Sequence, residues 1–306
     1  MANTDTIAVL YQRELNRKLS DKPKMPFSRI ANFKYEGQLK AGGDTVKVSI
    51  SPKIVMTDES SKNSGNIRKT SLSDIDVSDR TIGTDELKVN KLHRYLEEYA
   101  TLEEIQTAYN IGSERMKDMV TAINVVCEKG IIQAIDAMIL ANTSTNKLTA
   151  SAKLTKDNIA TEVMRLRTAL SKKEVPFEGR VLIVSPDISA LIALAGILSG
   201  TEDAAKSAIA GWLGRFAGFE VYESNLIEAG KLYAIHTGAV NYVRQHVGAD
   251  ITKKEKAFGY NLKGQVAHGG KVFANNVERI YVMEDVTPTP TETETETETE
   301  TETETA

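Results

Sequence analysis

A long helix is predicted in the first half of the chain, over residues 101 to about 142. Thr101 and Glu104 have the spacing of a capping box at its start. Apolar residues then recur mostly at intervals of three and four positions, as one buried helix face requires. A segment of roughly 40 residues would form a rod of about 60 Å. Gly112 and Gly130 each weaken a helix by about 1 kcal/mol, so either is a candidate for a kink or break.

Shorter helices and strands follow in mixed order. The apolar run 181–184 is bounded by Gly179 and Pro186 and predicts a buried strand. One helix is expected before it, over residues 157–173, and another from Pro186 to Gly200. A linker of Thr, Ser and Asn is expected at 142–152. Further strands are predicted at 219–222, 232–235, 265–273 and 279–283. This order is neither a clean strand–helix alternation nor all strand, so it favours the α+β class.

An amphipathic helix is predicted near the amino terminus. Its apolar stripe recurs every four residues, and Pro23 and Pro26 end it. Such a short helix cannot bury its stripe on itself, so we expect it to dock on the body or on a neighbouring chain. The stripe consists of Ile7, Tyr11, Leu15 and Leu19. Arg13, Arg17 and Lys18 contribute to a weakly basic segment, which can face an acidic partner or else form a solvated helix face.

A polar excursion is predicted after a first strand. Residues 44–50 alternate apolar and polar side chains, as a half-buried strand does, and Pro52 ends its regular pairing. Residues 57–85 are polar and have too few large apolar side chains to form a core, so we expect a long two-stranded excursion. Its few large apolar residues include Ile67, Leu72 and Ile75.

The last residues form a charged tail. Residues 291–304 alternate Thr and Glu, and the seven Glu of this tail account for the sign of the net charge. Removing those seven charges changes the formal net charge from −4 to +3. Pro288 and Pro290 lack backbone donors and the repeat has no apolar face, so the tail is predicted to be disordered.

The residue patterns of several functional classes do not occur in the sequence. No two of the four His have metal-ligand spacing, and Cys127 is the only cysteine. Gly211, Gly214 and Gly218 precede a strand, whereas a nucleotide-binding motif places its glycines after one, so a turn is predicted. The pairs at 97–98 and 103–104 are taken as helix neighbours that point apart. No signal segment or membrane span is expected. We therefore predict no catalytic, cofactor-binding or metal-binding residues.

A series of segments resembles the Hong Kong 97-type major capsid proteins of tailed bacteriophages. They begin with Glu36-Gly37, GDTVKV at 43–48 and Ile75-Asp76-Val77, followed by a long helix that closes with Ala134-Ile135-Asp136. The later segments are VPFEGRVLIVSP at 175–186, GRFAGFEVYESNLI at 214–227, the stretch 234–244 and AHGGKVFANNVERIYV at 267–282. Their order and spacing carry the resemblance, over about residues 30 to 286.

The resemblance implies an architecture and a function. The expected parts are an amino-terminal arm (1–37), an extended loop (38–86), a peripheral domain with a spine helix (87–152), an axial domain (153–262), returning peripheral strands (263–286) and the disordered tail (287–306). The implied function is self-assembly into pentamers and hexamers of an icosahedral shell around double-stranded DNA. The implied location is the virion capsid, assembled in the host bacterial cytoplasm, with no membrane. A separate scaffolding protein, a portal and decoration proteins are possible partners.

The resemblance also implies roles for residues outside the core. The basic residues Arg13, Arg17 and Lys18 of the arm would face packaged DNA or an acidic scaffold. The acidic tail would project from the outer surface of the shell, away from DNA. The apolar residues of the excursion would be buried on a neighbouring subunit, namely Ile67, Leu72 and Ile75.

Two alternatives stay open on the sequence. An encapsulin-like nanocompartment shell would share the fold but enclose cargo enzymes. A hydrolase or transferase of another class would need titratable side chains that converge in a pocket. A secreted adhesin with the repeat as its stalk is disfavoured by the expected lack of a signal segment.

Overall fold

The computed structural model describes residues 25–36, 45–50, 83–99, 111–199, 211–253 and 259–286. The helices are α1 (Pro26–Ile30), α2 (Ile111–Ala141), α3 (Thr143–Asn146), α4 (Ile159–Lys172) and α5 (Pro186–Leu194), with a 3-10 helix at Ala274–Arg279. The strands are β1 (Thr45–Ile50), β2 (Gly83–Lys88), β3 (Lys91–Tyr99), β4 (Lys147–Thr149), β5 (Arg180–Val184), β6 (Trp212–Phe216), β7 (Phe219–Glu223), β8 (Lys231–His236), β9 (Val240–Lys253), β10 (Tyr260–Val272) and β11 (Ile280–Glu284).

A six-stranded mixed sheet carries one core on each face. Its order is β4-β11-β8-β5-β7-β6. Because side chains alternate along a strand, Leu182 and Val184 of β5 pack with α4 and α5, whereas Val181 and Ile183 join the core that includes α1 and α2. All five residues of β5 are buried, as the continuous apolar run predicts.

The long helix α2 packs across the three-stranded sheet β3-β10-β9 through glycines. A Cβ added at Gly130 would meet the His268 ring at 2.8 Å and the Tyr242 hydroxyl at 3.0 Å. A Cβ added at Gly270 would meet that of Ala134 at 3.1 Å. Gly130 therefore permits close packing, and α2 runs through it as one helix rather than kinking. Residues 101–110, with the predicted capping box, lie outside the described residues.

Strands β1 and β2 form an antiparallel hairpin. Its register pairs Thr45 with Lys88 at the base and Ile50 with Gly83 at the far end. The predicted excursion 57–85 therefore overlaps β2, whose first three residues, Gly83 to Asp85, are paired. The intervening residues 51–82 lie outside the described residues.

Some sequence predictions need correction. The segment 142–152, expected as a linker, contains α3 and β4, because β4 pairs with β11 and the Asn146 side chain donates to the Val277 and Ile280 carbonyls, each at 2.7 Å. Glu97 and Glu98 lie in strand β3, not on a helix. Strand β9 was not predicted as a strand.

The predicted domain boundaries do not coincide with the boundaries between the sheets. The boundary at 262 falls inside β10, which lies in the three-stranded sheet, whereas β11 lies in the six-stranded sheet. Residues 263–286 are thus shared between two sheets, because β11 pairs with β8 on one side and β4 on the other. The assignment of named domains stays a prediction.

No helix of the described part is long and apolar enough to cross a membrane.

Candidate assembly surfaces

The residues predicted from the sequence to contact neighbours or DNA lie outside the described residues. Their roles therefore stay predictions. They are Ile7, Tyr11, Leu15 and Leu19 of the arm stripe, Arg13, Arg17 and Lys18 of its basic face, and Ile67, Leu72 and Ile75 of the excursion.

The β1–β2 hairpin is anchored to the body by a small apolar cluster. Val46 and Leu87 are buried against Val243 of β9 and against Phe273, which follows β10. The Tyr35 ring packs edge-on to Phe273, with centroids 5.9 Å apart. The base of the hairpin thus belongs to the core of its own subunit.

The chain leaving β2 crosses directly over β10 at Gly269. A Cβ at this glycine would overlap the Lys88 carbonyl oxygen and lie 3.0 Å from the Val89 Cα. Lys271 of β10 also forms an ion pair with Asp85 of β2. Because only glycine allows this approach, Gly269 sets the distance between β10 and the chain that leaves the hairpin at Lys88.

Strand β3 presents apolar side chains to solvent at the edge of its sheet. Leu92 is 51% exposed and Leu96 is 62% exposed. Within the part of the chain that the structure describes, β3 pairs only with β10, so its second main-chain edge has no strand beside it. An exposed edge that carries Leu side chains is suited to burial against another chain.

Residues 25–36 form a segment, called the clasp below, that joins the six-stranded sheet, the three-stranded sheet and α2. In its first half, the Phe27 ring packs edge-on to Tyr233 of β8 at 5.5 Å. The backbone N–H groups of Phe27 and Ser28 donate to the Glu128 carboxylate of α2, at 2.6 and 2.9 Å. The Ser28 hydroxyl donates to the same carboxylate at 2.6 Å. Burial raises the pKa of the Glu128 carboxyl, and these donors partly offset the rise.

In its second half the clasp joins β9. The Asn32 N–H donates to the Val240 carbonyl at 2.7 Å, and the Tyr242 N–H donates to the Asn32 carbonyl at 3.0 Å. The buried Arg244 guanidinium donates to Glu36 at 3.0 Å. The clasp is therefore hydrogen-bonded at one end to the long helix α2 and at the other to the three-stranded sheet.

His268 is buried beneath α2 without a hydrogen-bond partner among the described residues. It is 1% exposed, and neither ring nitrogen is paired. Its ring stacks on that of His93 with centroids 5.1 Å apart. Burial, with smaller contributions from His93 and Lys91, lowers the pKa of His268 from 6.5 to about 4. The neutral imidazole is therefore the form that fits between α2 and the sheet.

We expect His268 to make the subunit sensitive to acid. Because its folded-state pKa lies below the unfolded value, its contribution is complete above about pH 6.5 and is lost as the pH falls toward 4. The loss should be on the order of 3 kcal/mol. Urea unfolding from pH 8 to 4 should show a smaller decline for His268→Phe, which keeps an aromatic ring without a titrating group. Parallel curves for the two proteins would contradict this assignment.

Titratable side chains converge in a pocket of about 190 Å³ that is lined by Asp136, Glu228, Lys231 and Tyr233, where the Tyr233 hydroxyl donates to Asp136 at 2.9 Å. The described residues contain no group of three or more His, Cys, Asp or Glu that could hold a metal ion.

Gly218 and Ala217 both have positive φ in the turn between β6 and β7, so the turn predicted before Phe219 is confirmed, whereas Gly214 lies within β6. A cleft of about 640 Å³ between α3, β4 and α4 is lined by Arg165, Lys172 and Lys173, but by no carboxylate or imidazole.

Solved structures match this fold, although sequence comparisons find nothing. The sequence matches no protein-family model, and no curated protein is significantly similar to it. A structure from Mycobacterium phage Che8 matches with a TM-score of 0.61 and 19% identity, over 84% of this chain and 90% of that chain. The capsid structure of the cyanophage P-SCSP1u matches with a TM-score of 0.64 and 13% identity, over 87% and 90%. A virus-like particle from Pyrococcus furiosus matches at 0.52 and 15%, over 90% and 99%.

These matches define the class of the fold. The chain has the Hong Kong 97-type capsid fold, which confirms the α+β class and the resemblance found in the sequence. The clasp, the crossing at Gly269 and the buried His268 are the parts that sequence reasoning missed. A glycine pair at 269–270 inside a predicted strand was the one available signal, since glycine in a strand often marks a close backbone approach.

Proposed function

We propose that this protein is the major capsid subunit of a tailed bacteriophage and serves as a structural protein rather than an enzyme. It assembles into pentamers and hexamers of an icosahedral shell that encloses double-stranded DNA. The observation that carries the proposal is the fold, which extends over 87% of the chain in the match to a cyanophage capsid structure.

The surfaces of the subunit support self-association. The hairpin buries its base in its own subunit, but the sequence of its continuation, 51–82, is mainly polar. The β3 edge leaves Leu92 and Leu96 in solvent. Leu194, at the end of α5, is 73% exposed. Repeated contacts between copies would remove this apolar surface from water.

The partners and location follow from the same proposal. The weakly basic arm is suited to face packaged DNA or an acidic scaffolding protein. A portal and decoration proteins would complete a virion capsid assembled in the host cytoplasm. The acidic tail, repelled by DNA, would lie on the outer surface.

A nanocompartment shell is the second candidate, and it is less supported, because the virus-like particle from Pyrococcus furiosus matches with a TM-score of 0.52 against 0.61 and 0.64 for the two phage structures. The two candidates differ in what the particle encloses. A phage shell protects DNA from nuclease, whereas a nanocompartment retains a protein cargo.

Assembly of the purified protein tests the proposal. We expect co-expression with its genomic neighbours to give closed particles in electron micrographs, with nucleic acid that survives DNase treatment. Nuclease-sensitive particles that contain a second protein would favour the nanocompartment. A protein that stays monomeric at every concentration in the presence of those neighbours would refute both.

A further inference from the structure

The carboxylate of Glu128 occupies an unusual position in the spine helix. Its side chain is fully buried, and among the described residues no Lys or Arg forms an ion pair with it. Its partners are instead the three donors of Phe27 and Ser28, about 100 residues earlier in the chain. Burying an ionisable carboxylate is costly, so a position that only filled the core would be better served by an apolar side chain.

The donors explain why a carboxylate is suited to this place. Helix α1 has only five residues and its N-cap residue, Met25, makes no side-chain cap. The N–H groups of Phe27 and Ser28 at its start have no partner within the helix. Both are buried in the subunit, and the two Glu128 oxygens satisfy them together with the Ser28 hydroxyl. Glu128 thus acts as a cap supplied by another helix, and it fixes α1 in place and direction.

This contact lies where the amino-terminal residues 1–24 join the described part of the subunit. We propose that Glu128 is a positioning residue that couples the arm to the spine helix. It fixes the position and direction of α1, to which residues 1–24 are joined, and so contributes to the geometry in which subunits assemble. The second part of this inference rests on the proposed capsid function.

The clasp gives this coupling a physical route. Its first half is held by α2 through Glu128, and its second half is held by β9 through Asn32. Phe27 also contacts Tyr233 of the six-stranded sheet. A shift of α2 relative to either sheet therefore changes the position of residues 25–28, which follow the first 24 residues of the arm.

Glu128→Gln tests the coupling with little change in size. The amide keeps one acceptor oxygen but turns an NH2 group toward donors that the second oxygen accepted. We expect the amides of residues 25–31 in the free subunit to exchange hydrogen at least about tenfold faster, because the local opening becomes more populated. Particles made from this variant should vary in diameter or fail to close.

Glu162→Gln is the matched control. Glu162 is a buried glutamate of α4, where it pairs with Arg165 and accepts a hydrogen bond from the Ser151 N–H, in the other core. The control should leave exchange at 25–31 and particle diameter unchanged. Ser28→Ala removes only one donor and should accelerate exchange at 25–31 by a smaller factor. It provides the test if Glu128→Gln does not fold.

Two outcomes would overturn the inference. One is unchanged exchange at 25–31 in both Glu128→Gln and Ser28→Ala. The other is an equal particle defect in the Glu162→Gln control, which would assign the defect to general loss of stability. Exchange is measured on the free subunit, so this part of the test holds even if the wild-type protein forms no shell, a result that would count against the proposed function alone.

Discussion

Replacement of residues 51–82 by Asn-Gly should abolish shell assembly and leave the subunit folded. Ile50 and Gly83 are antiparallel partners at the far end of the hairpin, so a two-residue turn can join them without changing the register. The replacement removes the mainly polar continuation, including Ile67, Leu72 and Ile75, which are predicted to be buried on a neighbouring subunit. It keeps all six paired positions of β1 and β2.

The fold should survive because the hairpin is held from its base. Val46 and Leu87 keep their contacts with Val243 and Phe273, and Lys271 keeps its ion pair with Asp85. A deletion of 57–85 would instead remove Gly83, Thr84 and Asp85, and with them three strand pairs and the ion pair. The structure therefore places the cut at 51–82 rather than at the predicted bounds of the excursion, 57–85.

Assembly and folding need to be measured separately in this experiment. Sedimentation and electron microscopy report particles, and urea unfolding reports the subunit. The matched control is a truncation after Val286, which removes the 20-residue tail and should still form particles. Normal particles from the hairpin variant would contradict the role of 51–82, and loss of its cooperative unfolding would show that the segment also stabilises its own subunit.

Local patterns were sufficient for some elements of the fold. The apolar run of β5, the periodic face of α4 and the Pro186 start of α5 all depend on residues close in sequence, and each was predicted within a few positions. The alternation in β1 likewise gave the first strand of the hairpin. These signals do not depend on what lies opposite, so the sequence alone carries them.

Elements specified by distant partners were missed or misplaced. Strand β4 reads as a polar linker and is a strand only because β11 lies beside it. Gly130 weakens an isolated helix, but here it allows His268 and Tyr242 to approach α2. The Glu128 contact spans about 100 residues and leaves no local signal. The arm and excursion residues predicted to contact neighbours stay predictions.

Gly269→Ala should have the second large effect, because it places a methyl group where the main chain of another segment runs. The new Cβ would overlap the Lys88 carbonyl oxygen, and the Lys88 carbonyl carbon would lie 2.8 Å away. A flexible side chain could move aside, but these are backbone atoms of the segment that joins β2 to β3. Either the crossing opens or β10 shifts against β9, where Gly269 pairs with Val243.

Both responses should destabilise the subunit, and the first should also tilt the hairpin. Val243 contributes to the cluster that holds Val46 and Leu87, so a shift there loosens the base of the hairpin. We expect urea unfolding to show a loss of about 1–3 kcal/mol, as overpacking typically costs, and particle yield to fall further than this loss alone would cause.

Gly83→Ala is the control in the same hairpin, because nothing lies within 4 Å of its added Cβ. It should unfold like the wild-type protein or be slightly more stable. A Gly269→Ala protein as stable as this control would show that the crossing adjusts without loss of stability. Gly269 would then not set the distance between the hairpin and β10.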